Sequence, residues 1–159
     1  MNVAVMGTDA RAQAIASLLS DAGHDVVPAS QKQPATPPVV VLAGPRAAKE
    51  PNVRLGDDTV VVDAMDGRAT LETERMLMHD YGSQRVVRAL IVLPQPGANI
   101  LCCSDDAEAM ATVERLFRSC GCVPTNRGPL ANLTELEPPD PRLDEQFDRL
   151  RGVNRVSEA

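Results

Sequence analysis

Apolar positions along this chain come in short continuous runs, set between stretches where they recur every three or four residues. Asn2-Val3-Ala4-Val5-Met6 is such a run and ends at Gly7. Continuous apolarity over so few residues predicts a strand buried on both faces, as in a parallel sheet. Ala12, Ile15, Ala16 and Leu19 then repeat at helical spacing and predict a helix over about 10–22. Thr8 or Asp9 is placed to cap its start, and Gly23 suits the left-handed position after its end. Further strands are predicted at about 25–29, 39–43 (Val-Val-Val-Leu-Ala), 59–64 (Thr-Val-Val-Val-Asp-Ala), 85–92, 99–103 and 122–126. A helix near 70–81 carries Leu71, Leu77, Met78 and Tyr81 as its apolar face and stops at Gly82. Another, at 105–119, is capped by Ser104, turns Met110, Val113 and Phe117 inward, and has charges that suit the helix dipole at both ends.

Two connections break the expected alternation. Pro34, Pro37 and Pro38 forbid a helix between the second and third strands. A return along a five-residue strand covers roughly 17 Å, and eight extended residues reach roughly 26 Å, so an extended strap suffices. Between the third and fourth strands, Pro45 and Pro51 leave room for a short helix near 46–50 at most. Past Gly128-Pro129, a polar link from Asn132 to Asp140 leads to a short helix at 141–151 with Leu143, Phe147 and Leu150 on one stripe. The expected organisation is a domain at 1–130 and an acidic tail at 131–159.

Composition narrows the possible partners. The chain has 159 residues, 43% hydrophobic and 2% aromatic, enough for one domain with an aliphatic core. A net charge of −6 argues against a nucleic-acid or anionic-membrane partner. Part of that charge is local, since residues 131–159 hold seven acids against four arginines. No run is long enough to span a bilayer and the first apolar stretch lacks a basic lead, so a cytoplasmic location is expected. Cys102, Cys103, Cys120 and Cys122 then read as buried free thiols. Adjacent cysteines on a strand face opposite sides, and neither pair has the spacing of a structural zinc site, so no metal is expected.

The strand, glycine turn, helix and strand at the start have the layout of a dinucleotide-binding unit. The Gly-x-Gly-x-x-Gly fingerprint falls on Gly7, Asp9 and Ala12, so one of three positions is glycine. Gly7, Thr8 and Ala12 are candidates to cradle phosphate on backbone amides at the helix start, with Arg11 neutralising charge. Asp9 works against them. A carboxylate about 4 Å from a phosphate, at an effective dielectric near 20, costs on the order of 4 kcal/mol. Alternatively Asp9 caps the helix and nothing binds. The loop after the second strand, Ser30-Gln31-Lys32, has no acid to hold the ribose of NAD. Ser30 and Lys32 suit the extra phosphate of NADP, or form a solvated turn. His24 reads as structural. No nucleophile–base pair stands out, which is compatible with hydride transfer, a reaction that depends chiefly on positioning.

In order along most of residues 1–137, the chain resembles the N-terminal domain of coenzyme F420-dependent NADP oxidoreductases, a family related to pyrroline-5-carboxylate reductase domains. Gly7-Thr8 through Gly23-His24-Asp25-Val26-Val27 matches the family's spacing. Val39-Val40-Val41-Leu42-Ala43-Gly44-Pro45, Val60-Val61-Val62-Asp63-Ala64 and Arg85-Val86-Val87-Arg88-Ala89 resemble its next strands. Ser104-Asp105-Asp106-Ala107-Glu108-Ala109, Gly128-Pro129-Leu130 and Leu136-Glu137-Pro138 complete the match. The chain departs from the family at Asp9 and at Met65-Asp66-Gly67, where Thr-Asn-Pro is usual near the nicotinamide. The resemblance implies that Ala43, Gly44 and Pro45 border the nicotinamide and that a deazaflavin is a candidate second redox partner.

The expected architecture is a three-layer α/β Rossmann-type fold with a mainly parallel sheet, shortened second and third crossovers and a short C-terminal helix. Two functions follow. One is an NADP(H)-binding oxidoreductase moving hydride between nicotinamide and a second partner. The other is a scaffold that has lost its cofactor and serves as an interaction or regulatory module. A homodimer is a candidate assembly, because trimmed crossovers leave apolar surface for the tail to cover.

Overall fold

The computed structural model describes residues 1–28, 37–46 and 55–137. Its centre is a seven-stranded sheet built from β1 (Asn2–Met6), β2 (Asp25–Pro28), β3 (Val39–Leu42), β4 (Val60–Asp63), β5 (Val86–Ile91), β6 (Asn99–Ser104) and β7 (Val123–Asn126). The spatial order is β2-β1-β3-β4-β5-β6-β7. Every neighbouring pair is parallel except β5 with β6, which is antiparallel. That reversal needs no crossover helix, and the turn at Pro94-Gln95-Pro96-Gly97 supplies it.

Alternation along the central strands assigns side chains to two cores. Val39 and Val41 join one, while Val40 and Leu42 join the other. On the first face lie α1 (Ala10–Asp21), through Ile15, Leu18 and Leu19, and α3 (Ala107–Ser119), through Met110, Val113, Leu116 and Phe117. On the second lies α2 (Leu71–Tyr81), through Leu77 and Tyr81. Beside it a 3-10 turn at Leu130–Asn132 and the short α4 (Leu133–Leu136) bury Leu130 and Leu133. The result is the three-layer α/β arrangement expected from the apolar pattern.

Several local expectations are refined. Asp9, rather than Thr8, caps α1, accepting from the Ala12 N–H at 2.9 Å. Ser104 does not cap α3. Its hydroxyl donates to the Val86 carbonyl of the neighbouring strand at 2.8 Å, and Asp106 caps instead, accepting from Ala109 N–H at 2.9 Å. The link expected from Asn132 onward is structured as far as Glu137, because Leu133 finds an apolar seat on Cys103 and Ala69. The strap at 30–38 falls largely on residues 29–36, outside the described residues. So do most of the short helix near 46–50 and the whole of the helix at 141–151. Cys102 and Cys103 are both buried and point to opposite faces of β6, one into each side's core. Burial pushes the Cys102 thiol up to about 12 and the Cys103 thiol to about 11. Among the described residues no helix is long and apolar enough to cross a membrane.

Candidate functional site

The chain order reverses between β1 and β3, since β2 lies on one side of β1 and β3 on the other. A crevice outside the carboxyl ends of the strands at such a reversal is the ligand position in open α/β sheets. At that position in this chain stand the turn after β1 (residues 7–9) and the loop after β3 (residues 43–46).

Gly7 joins the two. Its φ is +137°, and a Cβ there would lie 2.7 Å from the Ala43 carbonyl oxygen and 2.9 Å from the Ala12 Cβ. Any other residue would push the turn off β3 and the helix off the turn. Gly44 repeats the need less severely. Its φ is +87°, and a Cβ would meet both Asp9 carboxylate oxygens at 3.4 Å. The loops after β3 and β4 continue the parallel ladder past the strand ends. Ala64 N–H donates to Leu42 O at 2.9 Å and Asp66 N–H to Gly44 O at 2.8 Å, giving a bridge between Pro45 and Asp66. The rim is therefore one zipped ledge.

The structure brings together Gly7, Thr8, Asp9, Arg11 and Ala12 on one side and Ala43, Gly44 and Pro45 on the other. Ser30, Gln31 and Lys32 lie outside the described residues. Asp9 does not turn away from the crevice. Its carboxylate holds the α1 N-terminus and stands over Gly44. Arg11 turns toward the ends of β4 and β5. The half-buried guanidinium reaches across the crevice, where Nη2 donates to the Ile91 carbonyl and Nε to the Ala64 carbonyl at 3.4 Å. Burial and the nearby Arg88 lower its affinity for the proton, while Asp66 and Asp9 raise it.

Beneath the ledge lies a buried ionic network that sequence reasoning missed. Asp63, at the end of β4, is fully buried. It accepts from Arg46 Nη1 at 3.0 Å and faces Arg88 Nη1 at 3.5 Å. Arg88 also donates to the carbonyls of Met65 at 2.9 Å and Gly67 at 3.2 Å. Its other edge grips Glu137, with Nη2 to Oε1 at 2.7 Å and Nε to Oε2 at 3.0 Å. Glu137 Oε1 in turn accepts from Ala69 N–H at 3.2 Å. Glu74 of α2 sits fully buried against Asp63, with Arg46 Nη1 at 4.0 Å. Burial, and then the hydrogen bond with Asp63 and its charge, push the carboxyl up to about 10, so at neutral pH it keeps its proton and donates to Asp63. The proton and the two arginines hold Asp63 below the ordinary carboxylate range although burial opposes them. The sequence did hold a signal. Asp63 and Arg88 each interrupt an apolar run, and they are register partners on adjacent strands.

The two histidines lie elsewhere. His24 Nε2 pairs with the Ser119 hydroxyl at 2.6 Å, joining the ends of α1 and α3, and His79 is exposed on α2.

No family model matches the chain, and no curated protein matches it. Solved structures do. A protein from Arthrobacter sp. FB24, assigned as an F420-dependent NADP-reductase, is 17% identical with a TM-score of 0.63, over 99% of this chain and 100% of that one. Prephenate dehydrogenase from A. aeolicus, solved with hydroxyphenyl propionate and NAD+, is 16% identical with a TM-score of 0.62, over 81% of this chain. A reductive aminase from Aspergillus terreus, solved with NADPH4, cyclohexanone and allyl amine, is 16% identical with a TM-score of 0.61, over 96% of this chain. This chain spans 60% of that dehydrogenase and 63% of that aminase. At these identities the likeness is one of fold. The chain has the Rossmann-type α/β fold found in NAD(P)-dependent oxidoreductases.

Proposed function

We propose that this chain binds NADP(H) in the crevice between the β1 and β3 ends, as an oxidoreductase-type domain. The observation that carries the reading is Gly7. Its left-handed turn packs against Ala43 and Ala12 with no room for a Cβ, which aims the start of a 12-residue helix at the crevice. Backbone amides at Thr8 and beyond would face the phosphates. Ala43, Gly44 and Pro45 would border the nicotinamide side, and Ser30, Gln31 and Lys32 would meet the 2′-phosphate. When bound, the cofactor supplies a hydride acceptor or donor. The chain's own part is to orient it and to keep water from the rim. A deazaflavin is the candidate second partner, through the family resemblance and the Arthrobacter protein's assignment.

A second reading is supported by Asp9, whose carboxylate already accepts the Ala12 N–H that a phosphate would use. On that reading the fold is a scaffold without a cofactor, acting as an interaction or regulatory module. Calorimetric titration with NADPH and NADH separates the two. NADPH is expected to bind more tightly. Tighter NADH would overturn the NADP assignment, and no heat with either would leave the scaffold.

A further inference from the structure

Arg11 is the second residue of α1, so its side chain leaves the helix where the crevice opens. It is tied to residues 53 and 80 positions away in sequence, at the carboxyl ends of two adjacent strands. Ile91 is the last residue of β5, and Ala64 directly follows β4. Both carbonyls accept from the Arg11 guanidinium. A guanidinium meets them with a planar row of N–H groups. A primary carboxamide has the same kind of edge, two N–H donors on one planar nitrogen. A guanidinium lying on both carbonyls fills the space that a second planar group would need to reach them. Asp66 and Asp9 favour the charge on Arg11, while burial and Arg88 oppose it.

From this geometry, and resting on the dinucleotide reading above, we infer that Arg11 is an internal competitor for the nicotinamide half of the crevice. It takes the acceptors that a ring carboxamide would use. The chain in this conformation accepts the adenosine and phosphate portion of a dinucleotide and admits the ring only when the guanidinium withdraws. Such a protein would bind a dinucleotide without being ready to react, and would become competent when something else engages Arg11. The inference replaces the expectation that Arg11 neutralises phosphate, and the two predict opposite effects of removing it.

The test compares NADPH with 2′-phospho-ADP-ribose, which keeps both phosphate groups and lacks the nicotinamide. Asp9 faces the phosphates that both probes carry, so its influence cancels in the comparison. Dissociation constants are measured by calorimetry for the wild type and for Arg11→Met, which keeps the length and apolar bulk of the side chain. In the wild type the two ligands are expected to bind within about threefold of one another, since the ring gains nothing. In Arg11→Met, NADPH should tighten more than tenfold while 2′-phospho-ADP-ribose stays within about threefold. Weakening of both ligands would show a phosphate contact and overturn the inference, as would no change in either. The wild-type comparison needs no variant, so a misfolded Arg11→Met leaves the question answerable: NADPH more than tenfold tighter than 2′-phospho-ADP-ribose in the wild type also overturns it. If neither ligand binds either protein, the dinucleotide reading itself fails, a result distinct from binding without discrimination.

Discussion

Asp9 has two consequences at one position. Its carboxylate completes the first turn of α1, and it places a negative charge where the crevice would take a phosphate. Asp9→Gly removes both. The expected result is NADPH binding tightened more than tenfold, measured by calorimetry, because the opposed charge is worth on the order of 4 kcal/mol before screening. The cost is about 0.5–1 kcal/mol of stability, from the lost cap and the freer backbone. An unchanged dissociation constant in a folded variant would show that the phosphate lies elsewhere. At this scale the sequence was half legible. A cap at Thr8 or Asp9 followed from their place between Gly7 and the apolar stripe, and the structure chooses Asp9. The direction of Arg11 did not, because its partners are backbone carbonyls on distant strands, and a carbonyl leaves no mark in the residue pattern.

Among elements, the Arg88–Glu137 pair matters most. It binds the end of α4 to a central strand, and through the carbonyls of Met65 and Gly67 it fixes the loop after β4. Both side chains are almost entirely buried, 3% and 7% exposed. Removing Glu137 leaves Arg88 with Asp63 as its remaining carboxylate partner, and breaking a buried pair costs about 3–5 kcal/mol. Glu137→Ala should therefore lower the melting temperature by at least about 6 °C, given the usual 2–4 °C per kcal/mol for a chain of this size. A shift under 1 °C by scanning calorimetry would mean that water replaces the carboxylate freely. The strands and helices themselves were readable from runs such as Val39-Val40-Val41-Leu42 and from the stripe Ala12, Ile15, Ala16 and Leu19, although in α1 the structure buries Leu18 where Ala16 was expected. The cap at Asp106 was not. Ser104 and Asp106 are both good caps, and the choice rests on Ser104 facing the Val86 carbonyl across the sheet. The docking of 130–137 was hidden for a similar reason, as its few apolar residues need a seat that only the assembled sheet provides.

For the whole molecule, the buried Asp63–Glu74 pair sets a pH dependence. Glu74 is raised in the folded chain from an ordinary value near 4.5 to about 10. Its contribution is fully present below pH 4.5 and is lost as pH rises toward 10, because the unfolded chain ionises first. Asp63 is depressed, so its contribution is present above its ordinary range and is lost as pH falls into acid. The pair thus favours mildly acidic solution. Between pH 4.5 and 7 the loss from Glu74 is on the order of 3 kcal/mol. Glu74→Gln keeps a neutral donor beside Asp63 at every pH. It should leave the melting temperature near pH 4.5 nearly unchanged and raise it by at least about 4 °C at pH 8. Melting curves of equal slope against pH for variant and wild type would contradict a shared proton.

Prolines on the outermost strands bear on how the sheet ends. Along a strand, successive N–H groups point to alternate sides. In β7, Val123 N–H donates inward to Ala98 O at 2.8 Å, and beyond the strand Arg127 N–H donates inward to Cys102 O at 2.8 Å. Pro124 therefore falls where an N–H would face outward. In β2, Asp25 N–H donates inward to Met1 O at 3.0 Å, which puts Pro28 on the outward side as well. Each margin of the sheet lacks a donor at the place where an incoming strand from another chain would seek one. A parallel sheet this rich in valine would otherwise be a template for open-ended growth. The two prolines make it a poor one, and they do so without weakening a single rung of the ladder inside.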